Sequence, residues 1–442
     1  MAVDKLLSTP SKEISPASRI LKDRNTPAFQ TSMERWSNLN KKTPYSIVQP
    51  ATEQDIILVV RKALDFSVPF VPVSGGHSTW SSIDKNGVVI DLSTYTGVAV
   101  NTTQDTATVR GGTLMKELQT ALHPYKRFTA VGNGSTVGVI PYYLNGGISI
   151  YGPFVGYGCE NISPDLLWAI RGAGQFFGLV TELVIKTYPY ALLGNEDGQR
   201  MCGTFIFPPE QIEAVSAAVQ QIAENKDRVN AGHVMIVQAP PDLKQQVLFV
   251  APQAFCSAAE AARLFQPLKD IGPIQEALVS STFETPSDHL DWVGVKGEFK
   301  RFSQIGLKGW DTDNFKLLAR LHSELVADCA DAARSGYSVE WHSPCKSPRA
   351  LNTSFGLEDV DYWLNVLSWY SDAANHDFVG EMDEEAQAAM RVGTEPHEFV
   401  AYTNTSRDGP IEFRYKGVER ISRLQGLKRP YDPEGIFTRE VL

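Results

Sequence analysis

The sequence lacks the features of membrane, secreted and nucleic-acid-binding proteins. No apolar run approaches the ~20 residues that a membrane span needs, and the N-terminus has no sustained apolar stretch of the kind found in signal peptides. The formal net charge is −10, whereas nucleic acids and anionic membranes attract basic surfaces. These absences predict a cytoplasmic protein that binds neither nucleic acid nor membrane.

Cysteine is also scarce, and the usual metal and nucleotide motifs are missing. Five cysteines form no CxxC pair, which argues against a disulfide framework or a zinc site and favours a reducing compartment. The chain has no HExxH sequence, no Walker A sequence and no internal repeat. We therefore expect no bound metal.

The composition and the hydrophobic pattern indicate an α+β protein of two or three domains. The chain has 442 residues, of which 43% are hydrophobic and 21% charged, as in a globular protein with a substantial core. Thr52 and Asp55 resemble a capping box at the start of an amphipathic helix, and Thr113 is expected to cap a second helix. Strands are predicted at 68–73, 88–90 and 106–110.

A change of pattern after Pro189 indicates a second α+β unit. Helices are predicted at 209–225, 257–270, 312–335 and 358–376, and strands at 202–207, 233–239, 246–251 and 337–343. From Phe399 the pattern returns to a strand followed by a helix. The predicted domains are an N-terminal arm (1–39), whose first 18 residues are expected to be loose, a first domain (40–190), an inserted domain (191–395) and a C-terminal segment (396–442).

Two glycine segments have GxGxxxG spacing, at Gly132-Gly134-Gly138 and Gly172-Gly174-Gly178. A Rossmann dinucleotide fold needs a strand, then the glycine turn, then a helix. The second segment shows the reverse order, with helical character before it and β-branched residues at 179–185 after it. Pro141 is expected to block a helix after the first segment. The pattern therefore argues against a Rossmann fold.

Four groups of residues, in this order along the chain, resemble FAD-linked oxidoreductases of the vanillyl-alcohol oxidase type with a PCMH-type FAD-binding domain, and especially the fungal berberine-bridge-enzyme-like oxidases. They are Pro72–Ser78 with Val88–Ser93, Asn145–Ser149 with Gly158–Asn161, Pro164–Gly174 with Phe177–Thr181, and Tyr402–Asn404 with Arg423–Leu424 and Tyr431–Phe437. The resemblance implies a two-part FAD domain, made of the first domain and the C-terminal segment. It also implies an inserted substrate domain whose antiparallel sheet covers the flavin.

The resemblance also implies a flavin site. Independently of it, Ser74-Gly75-Gly76 after a strand offers unobstructed backbone N–H groups to a diphosphate. The family's GGH histidine, here His77, bonds covalently to the flavin 8α-methyl carbon. The cofactor-binding residues implied by the resemblance are Val73, Ser74, Gly75, Gly76, His77, Ser78, Thr136, Gly138, Gly146, Gly147, Ile148, Gly158, Gly178, Val180 and Asn404.

Several positions depart from the family pattern. Many relatives attach FAD a second time through a cysteine, but Gly138 stands at that position, so we expect one bond only, through His77. Relatives have about two dozen residues between the Asp-Asn pair and the Pro-Asp-Leu-Trp helix, and this chain runs from Asn161 directly to Ser163. The missing hairpin is expected to leave neighbouring strands with bare edges. Thr405 stands where several sugar-oxidising relatives have a catalytic tyrosine.

The expected reaction is that of an oxidase on a small organic substrate, with a secondary metabolite as the expected class. In the family, a hydride passes to flavin N5 while a base removes a proton, and O2 is then reduced to H2O2. The candidate catalytic residues are Glu340 and His342, which alternation places on one face of a strand, and Tyr402. Burial near a flavin is expected to tune Glu340 or His342 towards a neutral pKa.

Some alternatives stay open on the sequence. A solvated strand face is an equally simple interpretation of Glu340 and His342, and ordinary core packing is one for Tyr142, Tyr143, Tyr151 and Tyr157. The protein could also be a flavin-binding protein without redox chemistry, or an FAD dehydrogenase for a hydroxy acid or alcohol. We expect a monomer or a homodimer.

Overall fold

The computed structural model describes Leu6 and residues 13–155, 165–285, 288–343, 353–356, 360–401 and 409–437. Up to residue 190 the strands form three small sheets with the orders β1-β2-β4-β3, β5-β6-β8 and β7-β9. The strands are β1 (Arg19–Leu21), β2 (Ser46–Gln49), β3 (Phe70–Val73), β4 (Val88–Asp91), β5 (Val98–Asn101), β6 (Thr106–Arg110), β7 (Arg127–Phe128), β8 (Glu182–Lys186) and β9 (Tyr188–Pro189).

The strands that follow belong to one large antiparallel sheet of eight strands, in the order β13-β10-β12-β11-β15-β16-β14-β17. They are β10 (Arg200–Phe207), β11 (Asn230–Gln238), β12 (Gln246–Ala254), β13 (Gln275–Ser281), β14 (Phe299–Leu307), β15 (Gly336–His342), β16 (Tyr362–Tyr370) and β17 (Val400–Ala401). β11, β15 and β16 lie in the middle of this sheet.

Helices cover the small sheets and one face of the large sheet. They are α1 (Pro27–Ser32), α2 (Glu53–Asp65), α3 (Met115–Leu122), α4 (Val139–Leu144), α5 (Gly152–Val155), α6 (Asp165–Ala173), α7 (Ile212–Ala223), α8 (Ala258–Leu264), α9 (Gln266–Ile271), α10 (Thr312–Asp328), α11 (His376–Met390), α12 (Ile411–Arg414) and α13 (Val418–Tyr431). None of the helices in the described ranges is long and apolar enough to cross a membrane.

Alternation along the central strands gives the large sheet one apolar and one polar face. Val234, Val339 and Leu364 are buried in the cluster that also contains side chains of α7, α10 and α11. Their neighbours His233, Glu340 and Asn365 point to the opposite face, because successive side chains of a strand alternate. That opposite face is directed towards the glycine-rich segment 131–149, as its hydrogen bonds show.

The α+β class is confirmed, and most of the predicted elements are present. The capping box at α2 forms as expected, with Thr52 Oγ1 accepting from Asp55 N and Asp55 accepting from Thr52 N. At α3 the predicted cap is wrong, since Leu114 is the N-cap residue and Thr113 instead bonds to Gly97. The helix predicted at 257–270 is split at Phe265 into α8 and α9, and the one predicted at 312–335 ends at Asp328.

The helix predicted at 358–376 is wrong. Residues 362–370 form β16, in which every residue is buried, and the neighbouring helix α11 begins only at His376. A strand that is covered on both faces has a continuous apolar sequence, which cannot be told from a buried helix by periodicity.

Pro141 does not block a helix. It is the third residue of α4, in the first turn, where its missing N–H is not needed by the helix. The Rossmann fold is nevertheless excluded for the described sheets, because β7, which precedes this segment, pairs only with β9 and antiparallel. The reverse order at the second glycine segment is confirmed, with α6 before it and β8 after it.

Both ends of the chain pack onto the first 190 residues. At the N-terminal end, β1 pairs with β2, and Phe29 and Met33 are buried. At the other end, Tyr415 and Leu424 lie in one cluster with Trp168 of α6. The domain limits themselves stay predictions, although the large sheet extends to Ala401, six residues past the predicted limit at 395.

Candidate functional site

A glycine turn with free backbone donors follows β3. The N–H groups of Gly75, Gly76 and His77 donate to no acceptor in the described part of the chain. Gly76 has a φ of +71°, which turns the backbone sharply, and the buried Ser74 hydroxyl has no partner within the same ranges. Three consecutive free N–H groups with a hydroxyl beside them form a site for an anion.

The segment from Thr136 to Gly138 packs directly on this turn. A Cβ at Gly75 would lie 2.3 Å from Thr136 O, and a Cβ at Gly138 would lie 2.4 Å from Ser74 Oγ. Only glycine permits so close an approach of two backbones. Without a side chain, Gly138 has no atom through which a second covalent bond to a cofactor could form.

The His77 ring is held from two sides. Its Nε2 lies 2.8 Å from Thr136 Oγ1, and its plane stacks on Trp36 with centroids 5.7 Å apart and an interplanar angle of 17°. Burial, together with the Lys296 and Lys300 cations, lowers the pKa of His77 to about 4. The imidazole is therefore neutral at neutral pH, which leaves a nitrogen lone pair available as a nucleophile.

These features fit FAD. The diphosphate of FAD needs an anion site, and the turn at Ser74–His77 provides donors that are otherwise unsatisfied. Gly178 has no atom within 4 Å of the position of its missing Cβ, so a flat group could approach its backbone. The neutral His77 imidazole adds a nucleophile beside the anion site.

The other glycine positions are shaped by packing. Gly146 and Gly147 have positive φ angles of +94° and +31°, and a Cβ there would collide with Phe355 and Tyr142. Ile148 is buried with Phe355 and Trp363 in a small cluster. This segment therefore fixes the first part of the chain against β16 of the large sheet. Val73 is buried at the end of β3, whereas Ser78 and Val180 are partly exposed.

A buried polar cluster lies where the large sheet faces the glycine-rich segment. Glu340 Oε1 lies 2.7 Å from His342 Nε2 and accepts from Asn133 Nδ2 at 3.0 Å. Its Oε2 accepts from Asn365 Nδ2 at 3.2 Å. The interpretation of Glu340 and His342 as a solvated strand face is wrong, since their side chains are only 5% and 4% exposed.

The hydrogen bonds limit where the protons of the Glu340–His342 pair can lie. His342 Nδ1 lies 2.9 Å from Ser149 O, and a carbonyl can only accept, so Nδ1 carries a proton. The 2.7 Å contact between His342 Nε2 and Glu340 Oε1 then needs one further proton. This proton is shared by Glu340 and His342.

The surrounding donors favour the ion pair. Burial by itself would raise the pKa of Glu340, but the hydrogen bonds from His342 and from the Asn365 amide stabilise the carboxylate and leave the pKa well below its ordinary value. The expectation that burial moves the pKa of Glu340 towards neutral pH is therefore wrong, because the cluster supplies hydrogen bonds to the carboxylate form. Burial lowers the pKa of His233, whose Nε2 lies 3.3 Å from Asn133 Nδ2 and accepts from it.

The two parts of the site are joined by one short segment. Asn133 contacts Glu340, and Thr136 contacts His77. Three residues of extended chain span at most about 11 Å, so the contacts to the carboxylate and to the imidazole are made by neighbouring residues of one segment. The sequence analysis did not identify Trp36, Asn133, His233 or Asn365. The alternation of side chains in β11 and β15 places His233 and Glu340 on one face, so His233 could have been identified from the sequence. The contacts of Trp36 and Asn133 are not visible in the sequence.

The remaining predicted site residues are divided between the core and the undescribed segments. Tyr142, Tyr143 and Tyr151 are buried in one hydrophobic cluster, which favours core packing over a substrate wall. Tyr157, Gly158, Tyr402 and Asn404 lie outside the described residues. Within the described ranges, no group of three His, Cys, Asp or Glu side chains is placed to hold a metal ion.

Comparison with known proteins agrees with FAD as the cofactor. Residues 44–163 match a family model described as an FAD binding domain. The chain is 26% identical to the FAD-linked oxidoreductase hasG of Aspergillus fumigatus, over 92% of this chain and 93% of the relative.

Solved structures share the fold over nearly the whole chain. The BBE-like 1 protein of Physcomitrella patens has a TM-score of 0.81 at 18% identity, covering 98% of this chain and 97% of that one. A carbohydrate oxidase from Microdochium nivale has a TM-score of 0.81 at 17% identity, covering 100% and 99%. With the anion turn and the neutral histidine inside the segment that matches the FAD binding domain, the protein is an FAD-dependent oxidoreductase, and its fold is similar to that of the BBE-like and carbohydrate oxidase structures.

Proposed function

We propose that this protein oxidises a small organic molecule, of the secondary-metabolite class, by removing a hydride and a proton from it, and that dioxygen is the final electron acceptor. The observation that supports the proposal best is the buried Glu340–His342 pair on the polar face of the sheet. It lies beside the segment that also contacts His77, so a proton acceptor and the cofactor histidine border one region.

Glu340 is the proposed proton acceptor. Its Oε1 is occupied by His342 and Asn133, whereas Oε2 accepts only from Asn365 within the described residues and keeps a lone pair. A carboxylate that is already ionised needs no prior loss of a proton. His342 compensates the negative charge, and the Ser149 carbonyl keeps its ring in one orientation.

The neighbouring groups hold the carboxylate in place and keep water away. Asn133 and Asn365 donate to it from the glycine-rich segment and from β16. His233, Glu340 and Asn365 are all buried, so the carboxylate is exposed to little competing solvent. In such a setting electrostatic interactions with a substrate are stronger than in water.

His77 and the turn before it are the proposed means of holding the cofactor. The Gly75, Gly76 and His77 N–H groups would bind the diphosphate, and a ring nitrogen of His77 would form the single covalent bond to the 8α carbon. When bound there, FAD would supply a hydride acceptor at N5, with dioxygen as the final electron acceptor and H2O2 as the product. Gly138 leaves no group for a second bond.

The cofactor test is direct. We expect the purified protein to be yellow and to keep its FAD on the polypeptide after acid precipitation, while His77→Ala releases the FAD into the supernatant. Absorbance of the pellet and of the supernatant measures both. Colourless protein from cells rich in FAD would contradict the proposal and favour a protein that has lost redox chemistry.

The acceptor test uses a screen of alcohols, amines and phenolic metabolites in air. We expect a substrate to bleach the flavin absorbance near its visible maximum and to release H2O2, detected with a peroxidase-coupled dye. Bleaching that is reversed only by an artificial electron acceptor, without peroxide, would contradict dioxygen as the acceptor and indicate a dehydrogenase.

A further inference from the structure

Trp36 connects the cofactor histidine to the large sheet. Its indole stacks on the His77 ring, and its backbone N–H donates to Gly76 O at 3.0 Å. The indole Nε1 donates to Val293 O at 2.7 Å, and the ring also meets the edge of Phe302 of β14. Trp36 is buried, so these contacts leave its ring a single position.

Lys300 of β14 holds Trp36 from the other side. Its ammonium group donates to Trp36 O at 2.9 Å, to Val295 O at 2.9 Å and to Gly297 O at 2.6 Å. All three N–H donors of the buried ammonium are thereby satisfied. The same cation lies 4.3 Å from the centroid of Trp369. Breaking these contacts would leave a charge without partners, which is costly in a buried position, so Trp36 is firmly fixed.

Thr136 holds the edge of the imidazole that Trp36 does not touch. Its hydroxyl bonds to Nε2 of His77 at 2.8 Å, and Nδ1 has no partner in the described part of the chain. Rotation of the ring about its bond to the chain would break this hydrogen bond and the stacking together. Orientation of a nucleophile contributes strongly to the rate of a bond-forming step.

From these contacts we infer that Trp36 and Thr136 are positioning residues for the covalent attachment of FAD, because together they hold the His77 imidazole in one orientation. The inference rests on the proposed covalent link through His77. Neither residue forms the bond itself. Lys300 acts one step further away, by fixing Trp36.

The attachment step is balanced with dioxygen as the oxidant. His77 forms a C–N bond from a ring nitrogen to the 8α carbon and loses its N–H proton, and the 8α carbon loses one proton. Two bonds to hydrogen are broken and one bond is formed, which leaves two electrons. Dioxygen takes these two electrons and both protons and leaves as H2O2.

The test compares Thr136→Val with Thr136→Ser. Valine keeps the shape of the side chain and removes the hydroxyl, whereas serine keeps the hydroxyl. The full-length chain is made in riboflavin-starved cells and supplied with FAD, and samples are quenched in acid over time to measure the covalently bound fraction. We expect Thr136→Val to slow attachment about tenfold, and Thr136→Ser to attach at a rate close to that of the wild type. Thr102→Val, at an exposed threonine, is the control for the exchange itself.

Trp36 is tested with a second pair of variants. Trp36→Phe keeps a ring that can stack on His77, and Trp36→Leu does not, although both lose the bond to Val293. We expect slower attachment in Trp36→Leu than in Trp36→Phe. The affinity for non-covalently bound FAD is measured for each variant in the His77→Ala background. A positioning role predicts that this affinity changes little while the attachment rate falls.

The outcomes separate this inference from the proposed function. If the wild-type protein releases all of its FAD in acid, both the covalent link and the inference are wrong. If the wild type keeps its FAD and Thr136→Val attaches FAD as fast as the wild type does, the inference alone is wrong. Equal losses of attachment and of non-covalent affinity in Thr136→Val would also overturn it, since they would indicate a general effect on the cofactor site.

Discussion

Glu340 stays ionised in a buried position because hydrogen-bond donors surround both of its carboxylate oxygens. Asn133 comes from the glycine-rich segment, His342 from the same strand, and Asn365 from the adjacent strand β16. A buried carboxylate without such partners would be protonated near neutral pH. The cluster therefore maintains a base that is available over the whole physiological range, rather than one that is tuned to titrate within it.

Glu340→Gln tests the role of this base. We expect kcat for the substrate found in the peroxide screen to fall by about 10²- to 10⁴-fold, because the amide cannot accept the substrate proton. Flavin content should change little, since Glu340 does not contact His77 in the described residues, whereas the melting temperature should fall, because the amide NH2 would face one of the donors that now bond to the carboxylate. An unchanged kcat, with normal flavin content, would contradict the assignment of Glu340.

Gly138→Ala tests how closely the two cofactor segments approach. The added Cβ would lie 2.4 Å from Ser74 Oγ and 3.2 Å from Gly75 N. Overpacking of this kind costs about 1–3 kcal/mol in the free energy of unfolding and should weaken FAD retention. Gly426→Ala is the matched control, because no atom lies within 4 Å of that position in α13. Helix propensity predicts a small gain there, so equal losses in both variants would contradict the steric argument.

Individual elements show where the sequence pattern is sufficient to predict the local structure and where it is not. The capping box at α2 was predictable because it is formed by residues three apart in the sequence. β16 was not, because its residues are buried on both faces and the run Tyr362–Tyr370 has no alternation. Within it, Asn365 and Ser368 are polar because their partners, Glu340 and Asp383, are brought to them by other elements.

The burial of His322 in α10 predicts how the stability of the fold changes with pH. His322 is fully buried, donates from Nε2 to Ser335 O and accepts at Nδ1 from Gln246. Burial lowers its pKa from 6.5 to about 4. The unfolded chain binds a proton below pH 6.5 and the folded protein does not, so this contribution to stability is present above pH 6.5 and is lost as the pH falls towards 4.

His322→Gln should therefore lose less stability on acidification than the wild type does. Between pH 6.5 and 5 we expect the fall in the free energy of unfolding to be smaller by about 1.5 kcal/mol. Urea denaturation at the two pH values measures it. His397→Gln, at an exposed histidine, is the control. If both variants show the wild-type dependence, His322 is not responsible for the acid sensitivity.

At the scale of the whole molecule, the two ends of the chain complete the core of its first part. β1 extends the first sheet, and the C-terminal helix α13 packs Leu424 against Trp168 and Phe176. Within the described residues β8 pairs only with β6, and Val184 on it is 61% exposed. β8 is therefore an edge strand of its sheet within these residues.

Leu424→Ala tests the contribution of the C-terminal segment. Leu424 is completely buried, so the cavity left by truncation should cost about 2–5 kcal/mol in the free energy of unfolding. Val418→Ala in the same helix is the matched control, because Val418 is 74% exposed and should change stability by less than about 0.5 kcal/mol. Equal effects of the two substitutions would contradict the packing of α13 on the first part of the chain.

The sequence by itself determined the fold class, the glycine turn at Ser74–His77 that is proposed to hold FAD, and the absence of a side chain at Gly138. These features depend on residues that are close together in the chain, where glycine, capping residues and alternation have direct conformational consequences. Only the tertiary structure decided which side chains surround them. Trp36 reaches His77 across 41 positions, and Asn133 reaches Glu340 across 207. The ionised state of Glu340 depends on such distant partners, and for that reason the sequence led to the opposite expectation for its pKa.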